Sequence, residues 1–135
     1  MSGWTFAEIW ETAAAQLPDA PFAKQGSRTV TWSEAERRAE GLATFLLDRG
    51  AQRQDKVAQY LSNCPEYLEP AFACHPAALV PVNTNYRYAA DELVYLWDNA
   101  DAVAVIFHGI FADTIEAIRE RVPRVASWLW VDDGS

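Results

Sequence analysis

The chain lacks most of the features that would announce a function. Its only cysteines, Cys64 and Cys74, belong to no C-x-x-C pair and to no other metal-ligand spacing. No run of basic residues interrupts a formal net charge of -8. The footprint of a phosphate-backbone binder is therefore missing, and nucleic acid is excluded as a partner. No apolar stretch approaches the roughly 18 residues of a transmembrane segment. The start, Met1-Ser2-Gly3-Trp4, carries no basic region of a secretory signal, so the expected location is cytoplasmic. Neither G-x-x-x-x-G-K-[ST] nor G-x-G-x-x-G occurs, and there is no serine nucleophile elbow. Phosphate-loop, triad and zinc chemistry all lose their usual carriers.

What remains is the profile of one globular unit. The 135 residues are 50% hydrophobic and 22% charged, enough for a core. No internal repeat or low-complexity linker divides them. Phe6, Ile9, Trp10, Ala13, Ala14 and Leu17 fall on one helical face, with Thr5 and Glu8 as a capping box and Pro18 as the stop. Extended segments are expected at Phe22–Gln25 and Arg28–Trp32, turning at Gly26-Ser27. A longer helix follows, with Ser33 and Glu36 read as its capping box and Gly50 as its left-handed end. Ala35, Ala39, Leu42, Ala43 and Leu46 form its buried stripe.

From Lys56 onward, strands and helices alternate. Short apolar runs at Val57–Leu61, Leu79–Val82, Ala102–Phe107 and Ser127–Val131 suit parallel strands covered on both faces. Helices are expected over Pro65–Cys74, Ala90–Asn99 and Phe111–Arg121, with Pro70 kinking the first. The fold class is α/β, a mostly parallel doubly wound sheet flanked by helices.

Ligands of such sheets gather beyond the carboxyl ends of the strands. Two loops there carry suggestive residues: Asn63-Cys64-Pro65-Glu66-Tyr67, and Asn83-Thr84-Asn85-Tyr86-Arg87-Tyr88. Asn85, Tyr86 and Arg87 are the candidates for a ligand or interdomain surface. The plainer reading is that Asn83 and Asn85 shape a turn while Tyr86 and Tyr88 pack on neighbours. His108 follows a strand end but has no visible nucleophile or carboxylate partner, so capping or packing explains it. Cys64 and Cys74 read as buried thiols, and Glu116 and Glu120 as a solvated face beside Arg119 and Arg121. Trp128 and Trp130 alternate along one strand and should cover the same side of the sheet. Spacing alone supplies no catalytic residue and no metal ligand.

A family resemblance adds what spacing does not. Val30-Thr31-Trp32-Ser33-Glu34-Ala35 resembles the first core motif of AMP-forming adenylation enzymes, and Leu79-Val80-Pro81-Val82-Asn83 resembles the second. Gly50 through Asp55-Lys56-Val57-Ala58, Asn63-Cys64-Pro65-Glu66-Tyr67 and Asn83-Thr84-Asn85-Tyr86-Arg87 are similar to further family segments in the same order. Gln54, Pro76, Leu79 and Pro70 depart from the pattern. The resemblance is to the fatty-acyl and sterol-side-chain CoA ligase branch of the acyl-CoA synthetases. It implies that residues 1–135 are an incomplete N-terminal subdomain of the adenylate-forming synthetase fold. It also implies a two-step reaction: a carboxylate and ATP give an acyl-adenylate and pyrophosphate, then CoA displaces AMP.

ATP, Mg²⁺ and CoA are the implied cofactors of the whole enzyme, with none expected to bind tightly here. The family's phosphate loop, acyl pocket and catalytic lysine lie beyond the matching region. The implied partners are the rest of the synthetase chain and, through exposed apolar surface, a second copy of this chain. The alternative is a stand-alone dimerisation or regulatory module of the same fold.

Overall fold

The computed structural model describes residues 3–135. Helix α1, Phe6–Gln16, begins at the expected capping box: Glu8 N–H donates to Thr5 Oγ1 at 3.2 Å, and Thr5 N–H to the Glu8 carboxylate at 2.8 Å. Its apolar stripe is less buried than its spacing implies. Ala14 is covered and Trp10 stacks on Phe72 at 4.7 Å, but Phe6, Ile9 and Leu17 stay exposed.

Strands β1, Pro21–Gln25, and β2, Arg28–Thr31, pair antiparallel as a hairpin separate from the main sheet. Helix α2, Trp32–Asp48, caps one frame earlier than expected. Thr31 and Glu34 form the box, not Ser33 and Glu36. The reason is tertiary. Trp32 N–H donates to the Ala20 carbonyl and Ser33 N–H to that of Pro18, so the preceding loop satisfies two first-turn donors that would otherwise be orphaned. Gly50 follows the helix with φ 94°, the left-handed conformation a glycine adopts without steric cost.

Strands β3, Lys56–Tyr60, β4, Val80–Asn83, β5, Ala102–His108, and β6, Ser127–Val131, form a parallel sheet in the order β4-β3-β5-β6. Side chains alternate across it. Val57 and Leu61 pack toward α2 and α3, Leu68–Cys74. Ala58 and Tyr60 pack toward α4, Ala90–Asn99, and α5, Ala112–Ile118. Helices thus cover both faces, the doubly wound arrangement. The helix expected over Pro65–Cys74 is divided. A short 3-10 turn, Pro65–Tyr67, precedes α3, so Pro70 falls in the first turn of α3, where its missing N–H leaves no gap.

The hairpin shares no ladder with the sheet, yet a buried carboxylate ties it there. Glu66, 8% exposed, is ion-paired with Arg28 of β2 and lies 3.7 Å from Arg38 of α2, whose Nε also meets Glu69 at 2.5 Å. Burial pushes the Glu66 carboxyl up, but the hydrogen bond and charge of Arg28, aided by Arg38, outweigh it and hold it below the usual carboxylate range. In Glu69, burial wins over Arg38 and the carboxyl sits above its usual range.

Two stability predictions follow from this packing. Leu46 is 1% exposed, so Leu46→Ala should lower stability by about 2–5 kcal/mol through lost transfer energy and a residual cavity. An unchanged denaturation midpoint would refute its assigned place in the core. Replacing Glu66 by Gln removes a charge-assisted contact, for a loss of about 1–3 kcal/mol at neutral pH. A carboxyl held low in the fold stabilises above its unfolded titration and loses that contribution as pH falls through the folded one. Glu69, held high, has the opposite slope. Denaturation followed from neutral to acid pH should therefore fall more steeply in the unsubstituted protein than in Glu66→Gln.

Candidate functional site

The chain leaves β3 for β4 on one side, while β5 lies on the other side and leads on to β6. The carboxyl ends of β3 and β5 thus flank a topological switch point, the usual crevice of an open parallel sheet. Three side chains meet there. His108, 5% exposed, closes β5. Its Nδ1 accepts from the Ser62 backbone N–H at 3.2 Å and lies 3.2 Å from Ser62 Oγ. An Nδ1 that accepts carries no proton, which places the proton on Nε2, 3.3 Å from Cys64 Sγ. His108 therefore has a thiol partner that its sequence neighbourhood does not reveal, since Cys64 lies on the loop after a different strand. Cys64 is half-buried rather than fully buried as expected, while Cys74 is fully buried.

The chemistry of this cluster is quiet. Burial pushes the Cys64 thiol up to about 11, and the nearby Glu66 carboxylate pushes the same way. A reactive cysteine needs the opposite, a cationic neighbour that favours the thiolate. Neutral thiol and neutral imidazole together make a polar pin across β3 and β5.

The loop after β4 lies on the same edge of the sheet. Its buried part is anchored by Thr84, whose Oγ1 accepts from Trp97 Nε1 at 3.0 Å, and by the Tyr60 hydroxyl donating to the Tyr88 carbonyl at 3.1 Å. The tip is a turn: Asn85 Oδ1 accepts from Arg87 N–H at 2.9 Å, and Tyr88 N–H donates to the Asn85 carbonyl at 3.0 Å. Asn85 shapes the turn as expected. Tyr86 and Tyr88 do not pack away; both rings remain exposed. The Arg87 guanidinium rests 5.5 Å from the Tyr86 ring and forms no ion pair among the described residues. Asn85, Tyr86 and Arg87 are thus held together on one exposed turn.

Helix N-termini beyond parallel strands are the usual cradles for phosphate. Here they are filled from within the chain. The 3-10 turn after β3 opens on Pro65, which has no N–H, and on the buried Glu66. The Ala89 N–H at the start of α4 donates to the Glu92 carboxylate at 2.8 Å, with Asp91 alongside. After β5, Ile110 N–H donates to Asp133 at 3.2 Å, and Asp113 occupies the first turn of α5. A phosphate approaching any of these ends would meet carboxylate. Among the described residues no three His, Cys, Asp or Glu side chains gather to hold a metal ion. The residues present therefore do not fit a nucleotide phosphate or its Mg²⁺.

The two tryptophans of β6 part company. Trp128 packs against Trp97 with ring centroids 6.1 Å apart, whereas Trp130 is 62% exposed. Trp130 also lies over Gly109 so closely that a Cβ there would come within 2.5 Å of its Nε1. Glu116 pairs only with Arg119, at 3.5 Å on the wet face of α5, as the charge pattern implies.

Comparison with known proteins matches this arrangement to one family. The family described as AMP-binding enzyme matches residues 10–135. A medium/long-chain-fatty-acid–CoA/3-oxocholest-4-en-26-oate–CoA ligase of Mycobacterium tuberculosis is 35% identical over 129 residues, which is 96% of this chain and 24% of that protein. A 3-oxocholest-4-en-26-oate–CoA ligase of Rhodococcus rhodochrous is 33% identical, over 96% of this chain and 23% of its own length. The chain thus spans about a quarter of the length of these curated relatives. In fold it is similar to the N-terminal domain of FACL13 from Mycobacterium tuberculosis, with a TM-score of 0.87 at 22% identity over 96% of this chain and 34% of that one. It is also similar to the anthranilate CoA ligase AuaEII, with a TM-score of 0.88 at 18% identity over 95% of this chain and 25% of that one. With its parallel sheet, its ordered motifs and a match over nearly its whole length, the chain belongs to the AMP-binding enzyme family.

Proposed function

We propose that this chain is the N-terminal scaffold segment of a longer, cytoplasmic, ATP-dependent acyl-CoA ligase, and that it does not catalyse adenylation by itself. The observation that carries the reading is the alignment: 96% of this chain matches ligases of which it spans about a quarter. The carboxylate-filled helix ends support it from the other side, since they leave no place for the triphosphate. ATP, Mg²⁺ and CoA are then held by the remainder of the ligase. The exposed turn of Asn85, Tyr86 and Arg87 faces that remainder, its unpaired guanidinium available to an acidic group or a carbonyl. The substrate class is a fatty or sterol-side-chain carboxylic acid.

A second reading is that this chain also associates with itself. It is favoured by exposed apolar side chains, among them Trp4, Phe6, Ile9, Tyr95, Ile110 and Trp130.

ATP–pyrophosphate exchange with short, long and sterol-derived acids tests the main reading. Residues 1–135 should show none above background while the full-length ligase shows exchange. Each missing charge-stabilising donor costs on the order of 10²–10³ in rate, and such groups act as a unit. Exchange by the 135-residue chain would sink the proposal. The cluster of Ser62, Cys64 and His108 is assigned a structural role, which alkylation checks. Cys64 should react with iodoacetamide slowly near neutral pH and speed up as pH rises toward its thiol value of about 11. Rapid labelling at neutral pH would show a thiolate and reopen a nucleophilic role.

A further inference from the structure

The two edges of the parallel sheet are built differently. At the β4 edge, Val80 N–H donates to the Asp55 carbonyl and Thr84 N–H to that of Gln59, so even-numbered residues of this strand face β3. Pro81 therefore lies on the outward side, where its missing N–H costs the ladder nothing and blunts the edge. At the β6 edge the register aligns Val82, Ala58, Val105 and Trp128 across the sheet, so the backbone groups of Trp128 and Trp130 point away from β5 just as those of Val82 point toward β3. By the alternation of a strand, Ser127, Leu129 and Val131 bond to β5, while Trp128 and Trp130 present N–H and C=O outward. This edge, Ser-Trp-Leu-Trp-Val, holds no proline, glycine or charge. Among the described residues no strand pairs with it.

We propose that β6 pairs antiparallel with β6 of a second copy of this chain, about a two-fold axis at Leu129. This deepens the second reading above by naming its surface. The segment is nearly self-complementary about Leu129. In that register Leu129 faces its own counterpart as the close, non-hydrogen-bonded pair, flanked by two doubly hydrogen-bonded pairs of Trp128 with Trp130 of the second copy. Trp128 then stands directly opposite Trp130 of the second copy, and the reverse, giving two cross-strand aromatic pairs on one face. The exposed Trp130 ring gains cover without moving Trp128 from Trp97.

Charge selects the direction. Arg124 precedes the strand, and Asp132 and Asp133 follow it. Antiparallel pairing sets Arg124 of one copy beside Asp132 and Asp133 of the other, whereas parallel pairing stacks like charges. Arg124 already meets Asp101 at 2.9 Å, but both side chains are largely exposed, so this contact is easily shared. The interface is isologous and closes at two copies, because the Pro81 edge does not continue the ladder.

The test is the mass of the 135-residue chain in solution across concentration, by light scattering after size exclusion. The expected result is a concentration-dependent shift from 15.1 kDa toward twice that value. In Trp130→Pro the outward N–H is lost while the β5 ladder is spared, so the mass should stay monomeric. Trp130→Lys alters only an exposed side chain and should have the same effect, deciding the matter if the proline variant does not fold. Leu129→Cys should oxidise to a covalent dimer, since only residue 129 meets itself, at a Cα separation of about 4.5 Å. Val131→Cys should not. A dimer that persists in Trp130→Pro and Trp130→Lys overturns the β6 pairing yet leaves self-association standing. A monomer at every concentration overturns both, and an open-ended ladder of masses overturns the two-copy closure. None of these outcomes bears on the ligase reading, which the exchange assay decides separately.

Discussion

A buried carboxylate holds the halves of this molecule together. The β1–β2 hairpin has no strand partner in the main sheet, and its side chains alone present little apolar area. Glu66 sits where the chain turns out of β3, and it gathers Arg28 from the hairpin and Arg38 from α2. A carboxylate so placed is costly unless paired, and equally costly to strip of one partner. It therefore demands that hairpin, long helix and sheet keep one arrangement. Around it, Gln25 Nε2 donates to the Asn63 carbonyl at 3.0 Å, and Phe22 meets Trp32 and Phe72 edge-on. The aromatic contacts supply apolar burial, and the ion pairs supply orientation.

This gives a physical reason for the Asn-x-Pro-Glu-Tyr segment that its resemblance alone does not. Pro65 starts a turn without needing a donor, Glu66 enters the clamp, and Tyr67 packs toward the α2–α3 side of the sheet. Cys64, just before, meets His108 across the switch point. One short loop thus joins β3 to its neighbouring strand, to the hairpin and to the helix above. Its residues are spent on architecture, which is consistent with chemistry residing elsewhere.

Much of the fold was legible because it rests on local rules. The stripe of α2, the apolar runs of the four parallel strands and the Thr5–Glu8 box all follow from periodicity or from spacing within one turn. What was not legible depends on distant partners. Thr31-x-x-Glu34 and Ser33-x-x-Glu36 are equally good boxes on paper, and the carbonyls of Pro18 and Ala20 decide between them. The His108–Cys64 contact needs the strand order, because Tyr60 pairs with Phe107 and so brings the loop after β3 beside His108. No motif encodes that. The exposure of Phe6 and Ile9 on α1 is likewise a property of which surfaces happen to meet. Of the candidate site, the turn of Asn85, Tyr86 and Arg87 was readable by residue type, while the filled helix ends required the backbone.

Those filled ends show how a domain with the layout of a nucleotide binder can satisfy its helix termini from within. A parallel sheet presents helix N-termini along its carboxyl edge whatever its function, and their unpaired N–H groups attract anions. Any domain with this layout has to satisfy them. Here the anions are its own: Glu92 closes α4, Asp133 takes the Ile110 N–H, and Asp91 and Asp113 add negative charge in first turns. Each acid stabilises its own helix, and the same charge disfavours an incoming phosphate. On the reading proposed above, the edge is a surface for packing. There the exposed tyrosines, and an Arg87 guanidinium with no ion pair among the described residues, would suit a fixed neighbour better than a diffusing, highly charged ligand.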